Sequence, residues 1–330
     1  MNHSEPSYGR VIGIGSYLPE QIMTNNDLAK IVETNDEWIT ERTGIKERRI
    51  SDPEKDTSES MAIEAAKRAV KNAGIDPKEI GLVVVASTTP NVLFPALSTS
   101  VQAAVDADNA MCFDVNSACP GFVSAFVTAQ NFLKAGTVKA ALVVGAENLT
   151  NYVNFEDRST CILFGDGAGA CVLKADPELQ YDAIMRAAGK RGDCLRCESY
   201  MQKGREKTEE FLKSNYINMD GQTVFKFAVS EVPKVIEDLL TKTGTTADDI
   251  DYFILHQANR RIIESVAKRL KQPLDKFPMN IAKTGNTSSA SIPILLDEMK
   301  KDSLLGEGRK KIVISSFGAG LIWGAVQTEI

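Results

Sequence analysis

A chain of 330 residues with 43% hydrophobic and 25% charged residues has an ordinary globular composition, long enough for two domains or one large α/β unit. Its 38 Lys and Arg against 44 Asp and Glu leave a net charge of −6, which argues against a general nucleic-acid binder held by phosphate neutralisation. No apolar stretch approaches the roughly 20 residues that span a bilayer, and the opening Met1-Asn2-His3-Ser4-Glu5-Pro6 has no signal-like region, so the sequence reads as cytoplasmic, with no membrane partner and with reduced cysteines.

In chain order, Gly13-x-Gly15 follows the first strand without completing a dinucleotide-binding spacing and reads as close-packed backbone. Trp38 and Arg42 lie four apart on a predicted helical turn, an arrangement suited to stacking on a purine or, alternatively, to a surface cation-π pair. The apolar positions Ala62, Ala65, Ala66, Ala69 and Val70 predict an amphipathic helix over 60–72, followed by Gly74 and the apolar strand 82–86. A second strand is predicted at 111–115. It gives way to Asn116-Ser117-Ala118-Cys119-Pro120-Gly121-Phe122, where Pro120 marks a helix start because proline lacks only an N–H that would be unpaired there. Cys119 thus sits where a helix end favours thiolate over thiol, although a buried structural cysteine is the alternative.

Beyond the strand 141–145, Gly165-Asp166-Gly167-Ala168-Gly169 again lacks the dinucleotide spacing. Cys194-x-x-Cys197 has the spacing of half a zinc site, but no second pair or His lies near it, and no metal is expected. A helix over 230–241 leads through Gly244 to the strand 252–256. That strand ends in His256, the only histidine besides His3, which lies in a terminal tail. Asn286 follows, in Lys283-Thr284-Gly285-Asn286-Thr287-Ser288-Ser289, before a helix starting near Ser289 and a last predicted strand at 312–315.

These elements repeat. Gly74 and Gly244, and Ile80 and Ile250, are each 170 residues apart. The same offset carries the 60–72 helix onto the 230–241 helix and the Pro120 helix onto the Ser289 helix. The strand at 141–145 maps onto 312–315 with a one-residue slip. The pattern predicts an internal duplication of an α/β unit, with halves 1–175 and 176–330. Apolar strands without alternation indicate sheets covered on both faces, whose ligand sites lie beyond strand carboxyl ends. Cys119 and His256 each follow a strand, in opposite halves, and Asn286 precedes the helix equivalent to that of Cys119, so all three can meet between the halves.

The chain resembles the thiolase superfamily, and within it most closely the β-ketoacyl-acyl carrier protein synthase III family. The resemblance rests on Asp36-Glu37-Trp38-Ile39 with Arg42-Thr43-Gly44-Ile45, on 116–122, on Phe164-Gly165-Asp166-Gly167-Ala168-Gly169-Ala170, on His256-Gln257-Ala258-Asn259, on Gly285-Asn286-Thr287-Ser288 and on 317–324. It implies a five-layered αβαβα thiolase-like fold, a homodimer and a decarboxylative Claisen condensation of acyl-CoA with malonyl-acyl carrier protein. That reaction gives a 3-oxoacyl-carrier protein, CoA and carbon dioxide, and starts type II fatty acid synthesis. Acyl-CoA is then a substrate, and no cofactor is implied.

Residue by residue, the resemblance makes Cys119 the acyl-accepting nucleophile, with His256 and Asn286 donating to the malonyl thioester carbonyl as carbon dioxide leaves. Such chemistry needs an activated acyl group and fixed donors for the enolate oxygen. Main-chain N–H groups of Cys119 and Ala319 would form a second oxyanion hole. Ala319 stands where the family commonly has glycine, which puts the room around the acyl group in question. Trp38, Arg42 and Arg158 would clasp the adenine end of CoA, with Gly221 and Asn259 lining the pantetheine tunnel. Arg261, with Arg260 beside it, would dock acyl carrier protein, whereas Lys268, Arg269 and Lys271 read as a solvated face. Phe94 would cross a dimer interface to the partner's acyl pocket, which Phe317 also lines; a core aromatic is the alternative for Phe94. A secondary-metabolite condensing enzyme or acyltransferase could keep the same three residues. A papain-like cysteine hydrolase is a remote alternative that leaves the repeat unexplained. The primer is not legible, least of all from residues 181–214.

Overall fold

The computed structural model describes residues 7–198, 215–306 and 308–330; His3 and the part 199–214 of the stretch 181–214 lie outside them. The chain opens with β1 (Gly9–Tyr17), then a hairpin of β2 (Gln21–Thr24) and β3 (Glu47–Ile50) that encloses the short α1 (Asn25–Leu28) and α2 (Asp36–Thr43). There follow α3 (Ser58–Ala73), β4 (Ile80–Ala86), α4 (Leu97–Ala104), β5 (Met111–Val115), α5 (Gly121–Lys134), β6 (Ala140–Glu147), α6 (Arg158–Cys161) and β7 (Gly167–Ala175). Next come β8 (Asp182–Ala187), the small ladder β9 (Leu195–Arg196) and β10 (Asn218–Met219), and α7 (Gly221–Thr243). The chain closes with β11 (Tyr252–Leu255), α8 (Arg260–Leu270), α9 (Ile281–Thr284), α10 (Ser291–Lys301), β12 (Lys311–Gly318) and β13 (Ile322–Glu329).

Two mixed sheets result. The first has the order β1-β7-β6-β4-β5 and the second β11-β12-β13-β8. Helices α5 and α10 pack between them: Phe122, Phe126, Leu133, Ile292 and Leu296 join residues of β4, β6 and β7 on one side and of β11, β12 and β13 on the other in one core. Helices α3 and α4 cover the outer face of the first sheet, and α7 and α8 that of the second. Five layers, αβαβα, follow directly, because both faces of each sheet are apolar and both must be covered. Each fully buried large side chain in such a layer contributes about 1.5–3 kcal/mol over its exposed state. Gln130 on α5 shows how a buried polar group is reconciled with this core: its Oε1 accepts from Gly9 N at 2.6 Å and its Nε2 donates to Gly9 O at 2.7 Å.

The glycine clusters serve close packing, as the sequence suggested. A Cβ on Gly13 would lie 2.3 Å from Ala69 O on α3, and one on Gly169 would lie 2.8 Å from Ile294 N on α10.

The 170-residue offset extends to backbone detail. Helices α3 and α7 both end in left-handed glycines, Gly74 (φ 65°) and Gly244 (φ 68°), and each leads into a 3-10 turn, Pro77–Glu79 and Ala247–Asp249. Ala118 (φ 48°) and Ser288 (φ 50°) share a left-handed conformation that non-glycine residues rarely adopt. The correspondence breaks at one edge. Residues 281–285, which match β5, form α9 instead, because the next residue is drawn to a loop of the first half: Asn286 N donates to Leu163 O and Gly165 N donates to Asn286 O. Helix α7 also starts earlier than predicted, where Asp220 caps it by accepting from Thr223 N at 3.0 Å. Among the described residues, no helix is long and apolar enough to cross a membrane.

Candidate active site

Cys119 is thrown out of the β5–α5 connection by the left-handed Ala118, with Pro120 at the helix N-cap and Gly121 N returning to Ala118 O at 2.8 Å. The end of β12 grips this turn. Ser316 Oγ donates to Cys119 O at 3.1 Å, and Gly318 packs so tightly that a Cβ there would lie 2.9 Å from Cys119 Cβ.

Burial pushes the Cys119 thiol up to about 11; a hydrogen bond with the Ser288 side chain opposes this and the Glu147 carboxylate adds to it. The lowering expected from the helix end is therefore reversed. Desolvation beside a buried acid outweighs it, and the resting group is a thiol.

His256 follows β11, its main-chain N–H donating to Ser315 O at 2.9 Å. The ring is 2% exposed, meets Phe317 edge-on at 5.6 Å and has its Nδ1 2.7 Å from Ser291 Oγ. Burial pushes the imidazole down to about 3, so it is neutral throughout the ordinary pH range. Asn286 is buried as well. Its Oδ1 accepts from Ser288 N at 2.9 Å, which fixes the amide orientation and leaves Nδ2 to donate elsewhere. Gly285 before it has φ 63°, and a Cβ there would strike Leu163 O at 2.8 Å.

Two short segments thus bring the three predicted residues together. Segment 286–291 contains Asn286 itself, Ser288 against the Cys119 sulfur and Ser291 against the imidazole. Segment 315–318 holds the His256 main chain through Ser315, the Cys119 carbonyl through Ser316, the imidazole edge through Phe317 and the Cys119 turn through Gly318. The amide N–H groups of Cys119 and Ala319 find no oxygen acceptor among the described residues, and each can donate to a ligand oxygen.

Beneath this cluster lies Glu147, a residue the sequence reading did not single out. It is fully buried at the end of β6 and accepts from Thr88 N and Oγ1, Thr89 Oγ1, Ser288 Oγ and Ser289 Oγ at 2.7–3.3 Å. Burial raises its pKa; the Ser289 and Thr88 bonds oppose the rise. Ser288, Ser289 and Ser291 were visible only as a hydroxyl-rich run, since their partners are 141, 142 and 35 residues away.

A second group of predicted residues forms a separate cluster. Arg42 and Arg158 both lie over the Trp38 ring, at 4.6 and 4.8 Å from its centroid. Asn259 caps α8 and bridges to this cluster: its Oδ1 accepts from Arg261 N at 2.8 Å and its Nδ2 donates to Arg42 O at 3.0 Å. Gly221 opens α7 with only Met219 Cε, at 3.6 Å, near a notional Cβ, so the protein itself leaves room there. Arg260 and Arg261 are exposed on the first turn of α8, the former paired with Glu264 and the latter over the Phe225 ring. Arg269 reaches Glu237 on α7 at 3.3 Å.

The fully buried Arg48 donates to Met23 O, Asn25 Oδ1 and Ile162 O; burial lowers its pKa to about 10. Phe94 does not join Phe317. It is 80% exposed in a loop with Val92 and Leu93, which removes the core-aromatic alternative. Cys194 is half-buried and Cys197 exposed, and no cluster of three or more metal-ligating side chains occurs among the described residues.

Comparison with known proteins adds to this geometry. Residues 113–190 match the family described as 3-oxoacyl-[acyl-carrier-protein (ACP)] synthase III, and residues 240–330 match its C-terminal region. A β-ketoacyl-[acyl-carrier-protein] synthase III of Clostridium acetobutylicum is 48% identical over 324 residues, covering 96% of this chain and 97% of that protein. The crystal structure of 3-oxoacyl-[acyl-carrier-protein] synthase III from Aquifex aeolicus superposes with a TM-score of 0.89 at 42% identity, over 98% of this chain and all of that one. The priming β-ketosynthase of the R1128 polyketide pathway superposes equally well, with a TM-score of 0.89 at 35% identity over 98% and 97% of the two chains.

Proposed function

The chain belongs to the β-ketoacyl-[acyl-carrier-protein] synthase III family, and on that premise we propose how its residues divide the labour of the condensation that initiates fatty acid synthesis. The enzyme is an acyltransferase. Cys119 Sγ attacks the carbonyl carbon of acyl-CoA, the carbon–sulfur bond to CoA breaks, and the thiol proton ends on the CoA sulfur. Burial pushes the thiol up to about 11, so the resting group is the thiol and its proton has to leave in the course of acylation. The N–H groups of Cys119 and Ala319 receive the tetrahedral oxyanion.

Malonyl-acyl carrier protein then enters, and His256 Nε2 and Asn286 Nδ2 donate to its thioester oxygen while the carboxylate leaves as carbon dioxide. The enolate carbon attacks the acyl-Cys119 carbonyl, forming the carbon–carbon bond and releasing Cys119, which is reprotonated. A neutral imidazole suits this step, since decarboxylation itself creates the carbanion and the ring has only to donate.

The observation that carries the reading is segment 286–291, which touches the sulfur, supplies the asparagine and meets the imidazole. The stack of Arg42, Trp38 and Arg158 supports an adenine clasp, with Gly221 and Asn259 along the pantetheine path. The exposed Arg260 and Arg261 support docking of an acidic carrier protein. The exposed Leu93 and Phe94, near the edge strand β5, support a homodimer in which Phe94 reaches the acyl pocket lined by Phe317 of the partner. The backbone equivalences at an offset of 170 support two halves, 1–175 and 176–330. The reading places the enzyme in the cytoplasm and gives it acyl-CoA as a substrate, with no cofactor.

Intact-protein mass spectrometry after incubation with acetyl-, isobutyryl- and octanoyl-CoA tests the nucleophile. One acyl adduct, lost in Cys119→Ala, supports the reading, and no adduct with any acyl-CoA refutes it. Carbon dioxide release from malonyl-carrier protein, lost in His256→Ala and Asn286→Ala, tests the second step. Its absence in the wild type would favour a different acceptor chemistry on the same residues.

A further inference from the structure

We propose that Ser291 is a positioning residue for the condensation: its hydroxyl donates to His256 Nδ1 and thereby holds the imidazole as the Nε2–H tautomer, aimed at the thioester oxygen. The proposal rests on the decarboxylating role given to His256 above.

A neutral imidazole carries one N–H, and only one of its two nitrogens can face the substrate as a donor. Ser291 Oγ lies 2.7 Å from Nδ1, and both residues are 2% exposed. Among the described residues Nδ1 is the sole partner of that hydroxyl. If Nδ1 carried the proton, the serine O–H would be left buried with no acceptor, which is unfavourable. With Nδ1 as acceptor, the serine O–H and Nδ1 satisfy each other, and Nε2 keeps its hydrogen for a ligand. The Phe317 ring, edge-on at 5.6 Å, offers no competing acceptor oxygen, and the His256 main chain is already fixed by Ser315. The hydroxyl itself is held rigidly. Ser291 is the first residue of α10, directly after the 288–290 turn whose Ser288 and Ser289 are tied to Glu147.

Nitrogen-15 NMR of histidine-labelled protein reads the tautomer directly. The chain has only two histidines, so the His256 signals are assigned by their loss in His256→Gln. In the wild type, the expected spectrum has Nε2 protonated and Nδ1 unprotonated. In Ser291→Ala, the ring loses its fixed tautomer and orientation, and decarboxylation of malonyl-carrier protein falls by about 10- to 100-fold, less than the roughly 100- to 1,000-fold cost of deleting one preorganised donor outright. Acylation of Cys119 by acyl-CoA stays within about twofold, which also shows that the variant folds. Ser291→Thr, which retains the hydroxyl, recovers most of the loss. A wild-type spectrum with Nδ1 protonated overturns the proposal, as does a Ser291→Ala enzyme that decarboxylates at the wild-type rate. Failure of the wild type to decarboxylate malonyl-carrier protein at all would instead refute the function assigned to His256, whatever the spectrum shows.

Discussion

Replacing Gly318 with alanine isolates the contact that seats the nucleophile. Gly318 does not have a left-handed backbone, so alanine adds no conformational strain and the effect is purely steric. The added methyl would lie 2.7 Å from Pro120 Cδ, 2.9 Å from Cys119 Cβ and 3.1 Å from Cys119 N. Ordinary carbon contacts begin near 3.5 Å, so the Cys119–Pro120 turn or the end of β12 has to move by roughly half an ångström or more. Neither moves freely: Ser316 binds Cys119 O, Gly121 N binds Ala118 O, and β12 is paired with β13 to its last residue. Overpacking of this kind costs about 1–3 kcal/mol of stability, and misplacing a reacting atom by up to about 1 Å costs on the order of 100-fold in rate. The assay is single-turnover acylation of Cys119 by acyl-CoA, with denaturant unfolding measured in parallel. Acylation is expected to fall by about 10- to 100-fold while malonyl decarboxylation, which the proposed function assigns to His256 and Asn286, falls less. An acylation rate within twofold of wild type at unchanged stability would refute the packing argument.

Three further outcomes follow from the same geometry. Glu147→Gln removes the charge that helps hold the thiol protonated, so the pH midpoint for alkylation of Cys119 by iodoacetamide moves down; an unchanged or higher midpoint contradicts the coupling. Arg48→Met leaves Met23 O, Asn25 Oδ1 and Ile162 O without their donor and lowers stability by about 3 kcal/mol in urea unfolding, whereas a change under about 1 kcal/mol would show the cation to be dispensable. His256 is depressed to about 3 in the fold against 6.5 when unfolded, so the unfolded chain binds the extra proton and stability falls as pH drops from about 6.5 toward 3. That contribution amounts to at most about 1.4 kcal/mol per pH unit. His256→Gln should flatten this part of the curve, and an equal slope in both proteins would count against the burial effect.

Much of this was legible in the chain. Gly74 and Gly244 announced two equivalent helix ends because left-handed C-caps select glycine, and the apolar runs of β4 and β6 announced doubly covered sheets. Cys119, His256 and Asn286 stood out because each follows a strand or precedes a helix in equivalent places. The reversed thiol pKa was not legible, since it comes from burial beside Glu147, an acid whose partners are loops 58–59 and 141–142 residues away. Nor was Arg48, which reads as one more surface cation until the fold closes three carbonyl oxygens around it. That residues 281–285 form no strand matching β5 goes with Asn286 pairing across to Leu163, a contact no local pattern encodes.

The two segments that enclose Cys119, 286–291 and 315–318, are supplied by the last seventh of the chain. During synthesis, a polypeptide that has completed only its first sheet carries the thiol but lacks Ser288, Ser316 and Gly318, which press on its turn from the second half, and lacks His256 and Asn286. On the proposed function, competence for condensation therefore waits for the last segments to dock, as a receipt for finished folding.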